Sequence, residues 1–189
     1  MKKDRFVAFF DAVMAIIMTI EVLQFTLPKG PTWNDLTELR GQIIVYALSF
    51  FWLGIMWISI HNLWQDVESL PRGVIFVNLC TLFFSSMIPF SVLYLSLYIY
   101  RIVPQILYGI DTICIALCNQ ISLELLTKEN PKLSQSVKKF RAITATDISI
   151  KLIGIIVCVT VFPPAIMIAI FVSFLVMAIH YLRMKKRKE

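Results

Sequence analysis

Apolar residues in this chain come in long blocks separated by short polar stretches, and each block has the length of a membrane span rather than that of a soluble core helix. The first block, Arg5 to Pro28, reads RFVAFFDAVMAIIMTIEVLQFTLP. At ~1.5 Å per residue it crosses a hydrocarbon core of about 30 Å. A second block carries Trp52, Trp57 and His61 one or two turns apart, and a third holds Asn78 and an internal Pro89. Proline removes a backbone donor and clashes with the preceding turn, which predicts a kink near Ser85 to Pro89. A fourth block has Asp111 near one end and Glu124 near the other. The region from Ile143 past Ala178 is too long for one span, since about 40 helical residues would measure about 60 Å. Pro163-Pro164 divides it. The pattern predicts an all-α integral membrane protein, a single transmembrane domain over residues 1–189 with six spans at about 5–27, 42–64, 74–98, 104–127, 143–162 and 165–183.

Polar positions within and between the blocks refine the picture. The prolines and glycine of Pro28 to Asp35 predict a loop, with Trp33 suited to a membrane interface. Asp66, Glu68 and Arg72 mark a second loop, and the polar run TKENPKLSQSVKKFR predicts a loop or a short surface helix. Within the first span, Ile16, Thr19, Ile20 and Leu23 share one stripe, because offsets of three, four and seven residues return to the same helix face at about 100° per residue. Asp11 falls well off that stripe. A carboxylate at this depth must face protein or water, so the first helix is more than an anchor.

Composition agrees with a bilayer protein: 58% of the residues are hydrophobic and only 16% are charged. The net charge of +6 does not point to nucleic acid, since no basic stripe with interleaved aromatics occurs on a soluble segment. Apart from Lys29, Arg40, Arg101 and the intra-span Lys151, every Lys and Arg falls at the termini, in the second-to-third loop or in the fourth-to-fifth loop. That asymmetry predicts cytoplasmic termini. The basic start, Met1 to Arg5, resembles a signal-peptide n-region, but the interrupting Asp11 and the missing small-x-small site predict a retained first span. Cys80, Cys114, Cys118 and Cys158 lie inside apolar runs and imply packing rather than disulfides.

Several chemistries find no support in the sequence. It has no Gly-rich phosphate loop, no His-x-x-x-His or Cys-x-x-Cys spacing and no TVGYG-like filter. His61 and His180 are the two imidazoles, and His180 adjoins the basic tail. Asp147 and Lys151 are four residues apart and predict an intrahelical ion pair. Asp111 and Glu124 predict solvated or paired roles near span ends. Asp11, His61 and Asn78 sit in three different spans near the same membrane face, which favours a hydrogen-bonded clasp of the first three helices over a proton relay.

Arg5-x-x-x-Phe9-x-Asp11, followed by Ala15-Ile16-x-x-Thr19 and a proline at the span end, resembles the first-helix signature of the transmembrane protein 175 family, the endolysosomal potassium channel of animals and its shorter prokaryotic homologues. The family's usual Phe-Ser-Asp is Phe9-Phe10-Asp11 here, and His61, Asn78 and Pro89-Phe90 also fit the pattern. The resemblance implies a homotetramer in the prokaryotic plasma membrane whose first helices line a potassium-selective pore. It assigns Ile16, Ile20 and Leu23 to a hydrophobic constriction, Thr19 to an adjacent hydroxyl layer, and Arg5, Phe9, Asp11, His61 and Asn78 to a helix-clasping network. The implied partners are other copies of the chain, lipid, and potassium as the permeant ion along the axis, with no cofactor and no enzymatic activity. The alternatives are a proton pathway or proton-coupled carrier using Asp11, His61 and Asp111, and, from another class, a small membrane enzyme.

Overall fold

The computed structural model describes residues 2–65, 67, 70–130 and 134–185, and everything regular in it is helical. In chain order the helices are α1 (Lys3–Leu23), α2 (Trp33–Thr37), α3 (Arg40–Gln65), α4 (Arg72–Leu97), α5 (Ile102–Glu129), α6 (Ser134–Thr160) and α7 (Ala165–Lys185). Among the described residues, six helices are long and apolar enough to cross a membrane, all except the short α2. Helices are what a bilayer demands, because each backbone N–H and C=O must be satisfied within its own segment. Asp66, Glu68, Lys132, Lys186, Arg187 and Lys188, which entered the sequence reading, lie outside the described residues.

The helix ends depart from the apolar blocks where particular side chains intervene. α1 stops at Leu23, short of residue 27, and the Gln24 N–H closes the last turn on the carbonyls of Glu21 and Val22. Beyond it, the Thr26 N–H donates to Gln42 Oε1 at 3.0 Å and Gln42 Nε2 donates to Thr26 Oγ1 at 2.6 Å. The first turn of α3 thus holds the chain that leaves α1. The expected loop around Trp33 contains the one-turn α2, whose start is a capping box: the Asp35 N–H donates to Thr32 Oγ1, and both the N–H and the hydroxyl of Thr32 donate to the Asp35 carboxylate. Those bonds, from the hydroxyl above all, hold the Asp35 carboxyl below its ordinary range.

α5 starts at Ile102 rather than 104 and carries Pro104 in its first turn, where a missing N–H leaves no intrahelical bond unmade. α4 continues through the buried Pro89 as one helix. The stretch from 134 to 142 is neither a loop nor a separate surface helix but the start of α6. Val137 and Phe140 explain this, since they share a face with Thr144 and pack against the core. The α6–α7 hairpin at Pro163-Pro164 is as tight as the prolines suggest, with the N–H groups of Val161 and Phe162 both bonded to the Val157 carbonyl at 2.9 Å. The two helices then approach closely at Gly154, where a Cβ would lie 2.6 Å from that of Ala169.

Packing is densest among α4, α5, α6 and α7, whereas α1 rests on α3 and α4 at one edge of the bundle. Its buried side is Phe6, Phe10, Met14, Ile17 and Glu21, spaced three and four residues apart. A bilayer supplies little hydrophobic drive for such contacts, so shape fit and polar pairs carry the association.

Candidate functional site

On the uncovered side of α1 lie the residues of the apolar stripe. Ile16 is 55% exposed, Ile20 39% and Leu23 79%, and Thr19 is exposed between them. The Thr19 hydroxyl donates back to its own helix, 3.0 Å from the carbonyls of Ala15 and Ile16, which turns the oxygen's remaining acceptor capacity outward. Arg5 and Phe9 extend the same stripe toward the start of the helix, at offsets of four and seven from each other and from Ala12 and Ile16. Both are exposed. Among the described residues, α1 therefore presents a full-length face of exposed aliphatic, aromatic and hydroxyl groups.

Asp11 points elsewhere, as its position on the wheel requires. Trp57 Nε1 donates to Asp11 Oδ1 at 2.7 Å, and His61 Nδ1 lies 3.1 Å from Asp11 Oδ2. Trp57 and His61 are one turn apart on α3, with ring centroids separated by 5.5 Å, so both grip the same carboxylate. Asp11 and His61 border a cavity of about 290 Å³ lined also by Lys3, Asp4, Trp64 and Gln65. Nearby, Lys3 Nζ donates to the Val67 carbonyl at 2.6 Å and ties the beginning of α1 to the end of α3. Phe10, which stands where the family signature has serine, is fully buried with its ring 4.8 Å from Trp64 and 6.4 Å from Phe6. An aromatic contact between α1 and α3 thus occupies this position.

Three members of the expected clasp do not join it. Arg5 and Phe9 lie on the exposed stripe, on another face from Asp11, and no described hydrogen bond or ion pair reaches Arg5. Asn78 is buried in the α4–α5 contact, where its Nδ2 donates to the Val74 carbonyl at 2.8 Å and to Ser122 Oγ at 2.9 Å. The clasp around Asp11 consists of Trp57 and His61. Trp57 carried little sequence signal, because a tryptophan near a span end also suits the membrane interface.

Asp11→Ala is expected to strand the Trp57 N–H and the His61 ring, at a cost of about 1 to 3 kcal/mol. Asp11→Asn, which keeps an acceptor, should cost less. Thermal unfolding midpoints of the detergent-solubilised protein read the difference, and an Asp11→Ala midpoint equal to that of the wild type would contradict the clasp.

The other intra-span polar groups pair within the bundle. Asp111 accepts from Ser91, Ser49 and Tyr108 hydroxyls are 2.6 Å apart, and Asn119 Nδ2 contacts Met56 Sδ at 3.2 Å. Asp147 and Lys151 form the anticipated pair at 2.8 Å, joined by Ser173 from α7. Glu124 lies near the surface, 3.6 Å from Arg141. The cysteines are free, and among the described residues no three His, Cys, Asp or Glu side chains converge as a metal site. One buried acid escaped the sequence reading: Glu21, on the covered face of α1, just behind the stripe. Its signal was present, because 21 continues the buried spacing 6, 10, 14, 17.

Comparison with known proteins gives these features a context. Residues 5–89 match the family model for the endosomal/lysosomal potassium channel TMEM175. Over 145 residues the chain is 32% identical to a potassium channel of Chryseobacterium sp. (strain P1-3), covering 75% of this chain and 76% of that one. The chain belongs to the TMEM175 family. A potassium channel of Streptomyces collinus is 30% identical over 102 residues, 52% of this chain and half of the other. Among solved TMEM175 structures, the lysosomal potassium-selective channel homologue from Chamaesiphon minutus superposes with a TM-score of 0.74 at 18% identity, covering 94% of this chain and 97% of that one. A variant of the potassium channel MtTMEM175, in complex with a nanobody–MBP fusion protein, gives 0.67 at 16% identity, covering 97% and 93%. The TMEM175 fold therefore extends over nearly the whole chain, including α5 to α7, which lie beyond the residues of the family match.

Proposed function

We propose that this protein is a potassium-selective channel of the bacterial plasma membrane, assembled as a homotetramer in which the exposed stripe of α1 lines the pore. The observation that carries this function is the stripe itself: Ile16, Ile20 and Leu23 stand out from the edge of the bundle, away from every helix on which α1 packs. A single helix supplies one side chain per layer. Several copies around an axis would turn those layers into rings, with Ile16, Ile20 and Leu23 as the constriction and the Thr19 hydroxyls between them. Aliphatic rings offer no oxygen to replace an ion's hydration shell, so such a filter works through width and wetting, and dehydration costs the smaller, more strongly hydrated sodium ion more than potassium. The C-terminal ends of the α1 helices would add their partial negative charge at the outer mouth.

Purified protein in liposomes should pass potassium down its gradient faster than sodium, with no second substrate and no turnover. Equal fluxes, or flux that requires a co-substrate, would contradict the channel. A proton pathway has less support, because Asp111 is bonded to Ser91 between α4 and α5, whereas Asp11 and His61 are bonded to each other between α1 and α3. No described hydrogen bond links the two groups.

With six spans, the basic asymmetry supports a topology with both termini in the cytoplasm and Lys29, Arg40 and Arg101 outside. Single cysteines introduced near Lys185 should resist membrane-impermeant thiol reagents in intact cells, and those near Trp33 should react. The reverse pattern would invert the topology.

A further inference from the structure

Neither the exposed stripe nor the Asp11 clasp uses Glu21. This side chain is 1% exposed, and among the described residues neither of its carboxyl oxygens has a hydrogen-bond partner. Among the described residues, no ion pair reaches it. α1 packs on α3 and α4, where the titratable side chains between Gly41 and Ile60 and between Gly73 and Leu97 are Tyr46, Cys80 and Tyr94. From α5, Tyr108 lies in the neighbourhood of both Glu21 and Asp111, but the phenol is engaged with Ser49 and Asp111 is itself an acid bonded to Ser91. The basic residues assigned to the outer side are exposed, and Lys29 is paired with Glu38 at 3.1 Å. An ionised carboxylate sealed in apolar surroundings without donor or counter-ion costs far more than the neutral acid.

We propose that Glu21 is a proton-binding site on the back of the pore-lining helix, holding one proton as a neutral carboxylic acid, and that this proton keeps the constriction in register. The coupling follows from position. Glu21 directly follows Ile20 and lies two residues from Thr19 and from Leu23, so the turn that buries its carboxyl is the turn that presents those side chains. Release of the proton to water leaves the electron pair on the carboxyl oxygen as a charge that must find solvent. α1 is the edge helix, and rotating to solvate Glu21 would carry Ile20 and Leu23 with it. The reaction is a simple acid dissociation, with water or hydroxide as the acceptor.

Two measurements test the proposal, and only the second rests on the channel reading. In infrared spectra of the purified protein near neutral pH, the carbonyl band of a protonated carboxylic acid should be present in the wild type and diminished in Glu21→Gln. A spectrum that the substitution leaves unchanged overturns the proton site. In planar bilayers, raising the outer pH from about 7 to about 10 should change wild-type conductance several-fold and leave Glu21→Gln nearly unchanged. If Glu21→Gln does not assemble, Glu21→Met, apolar and without a proton to release, replaces it in both measurements. A wild type that ignores alkaline pH, or a variant that responds as strongly, overturns the coupling. A protein that shows the infrared difference but conducts no ions at any pH supports the proton site and counts against the channel reading instead.

Discussion

Lys151→Ala is expected to destabilise the protein by about 3 to 5 kcal/mol, the largest loss of stability from a single truncation outside α1. The Lys151 side chain is fully buried, and every direction in which its ammonium can donate is occupied. Asp147 Oδ2 lies at 2.8 Å, the Thr112 carbonyl at 3.4 Å and the centroid of the Trp52 ring at 4.2 Å. The second Asp147 oxygen accepts from Ser173. Four helices, α3, α5, α6 and α7, therefore meet around one neutralised pair. Alanine at 151 would leave Asp147 as an uncompensated charge inside an apolar bundle, which is why removing one partner costs more than the pair itself contributes. Replacing both partners with apolar residues of similar volume, Asp147→Leu with Lys151→Met, should recover most of the loss. Thermal unfolding midpoints in detergent provide the comparison. A Lys151→Ala midpoint equal to that of the wild type, or a double variant worse than the single one, would show that the pair is not neutralised in this way.

That pair was legible in the sequence because its geometry is local: four residues on a helix bring two side chains together whatever surrounds them. The six spans were legible for a related reason, since a bilayer permits an apolar block of that length little except a helix. Contacts between helices leave no such trace. Asp11, His61 and Asn78 are equally polar and fall near the same membrane face, yet only the first two meet, because Asn78 turns toward Ser122 on α5. Rotation of α4 about its own axis settles this, and the densely packed α4–α5 contact fixes that rotation. The ends of helices were obscured in the same way. Gln42 sets where the chain leaving α1 is held, and Val137 with Phe140 draws a polar stretch into α6. Glu21 shows the opposite case, in which the spacing shared with Phe6, Phe10, Met14 and Ile17 already marks the position as buried.

Ile16→Asn is expected to raise conductance and lower potassium-over-sodium selectivity, with little effect on assembly. Ile16 is 55% exposed and lies off the buried face of Phe10, Met14 and Ile17, so asparagine there disturbs little of the packing within the subunit. Around an axis, the substitution would place a ring of amides where an aliphatic ring had excluded water. Amide oxygens would coordinate an ion as water does, and the dehydration barrier that separates the two cations would fall. A surface facing lipid responds differently. A carboxamide in hydrocarbon must find a partner or reduce insertion, and it would leave permeation as it was. Thr19 offers an internal control, because its hydroxyl already supplies a polar layer one turn away: Thr19→Val should shift the same two quantities in the opposite direction and by less. Single-channel recordings under potassium and sodium gradients measure both. Unchanged conductance and an unchanged reversal potential for Ile16→Asn would remove Ile16 from the constriction and return the stripe to lipid.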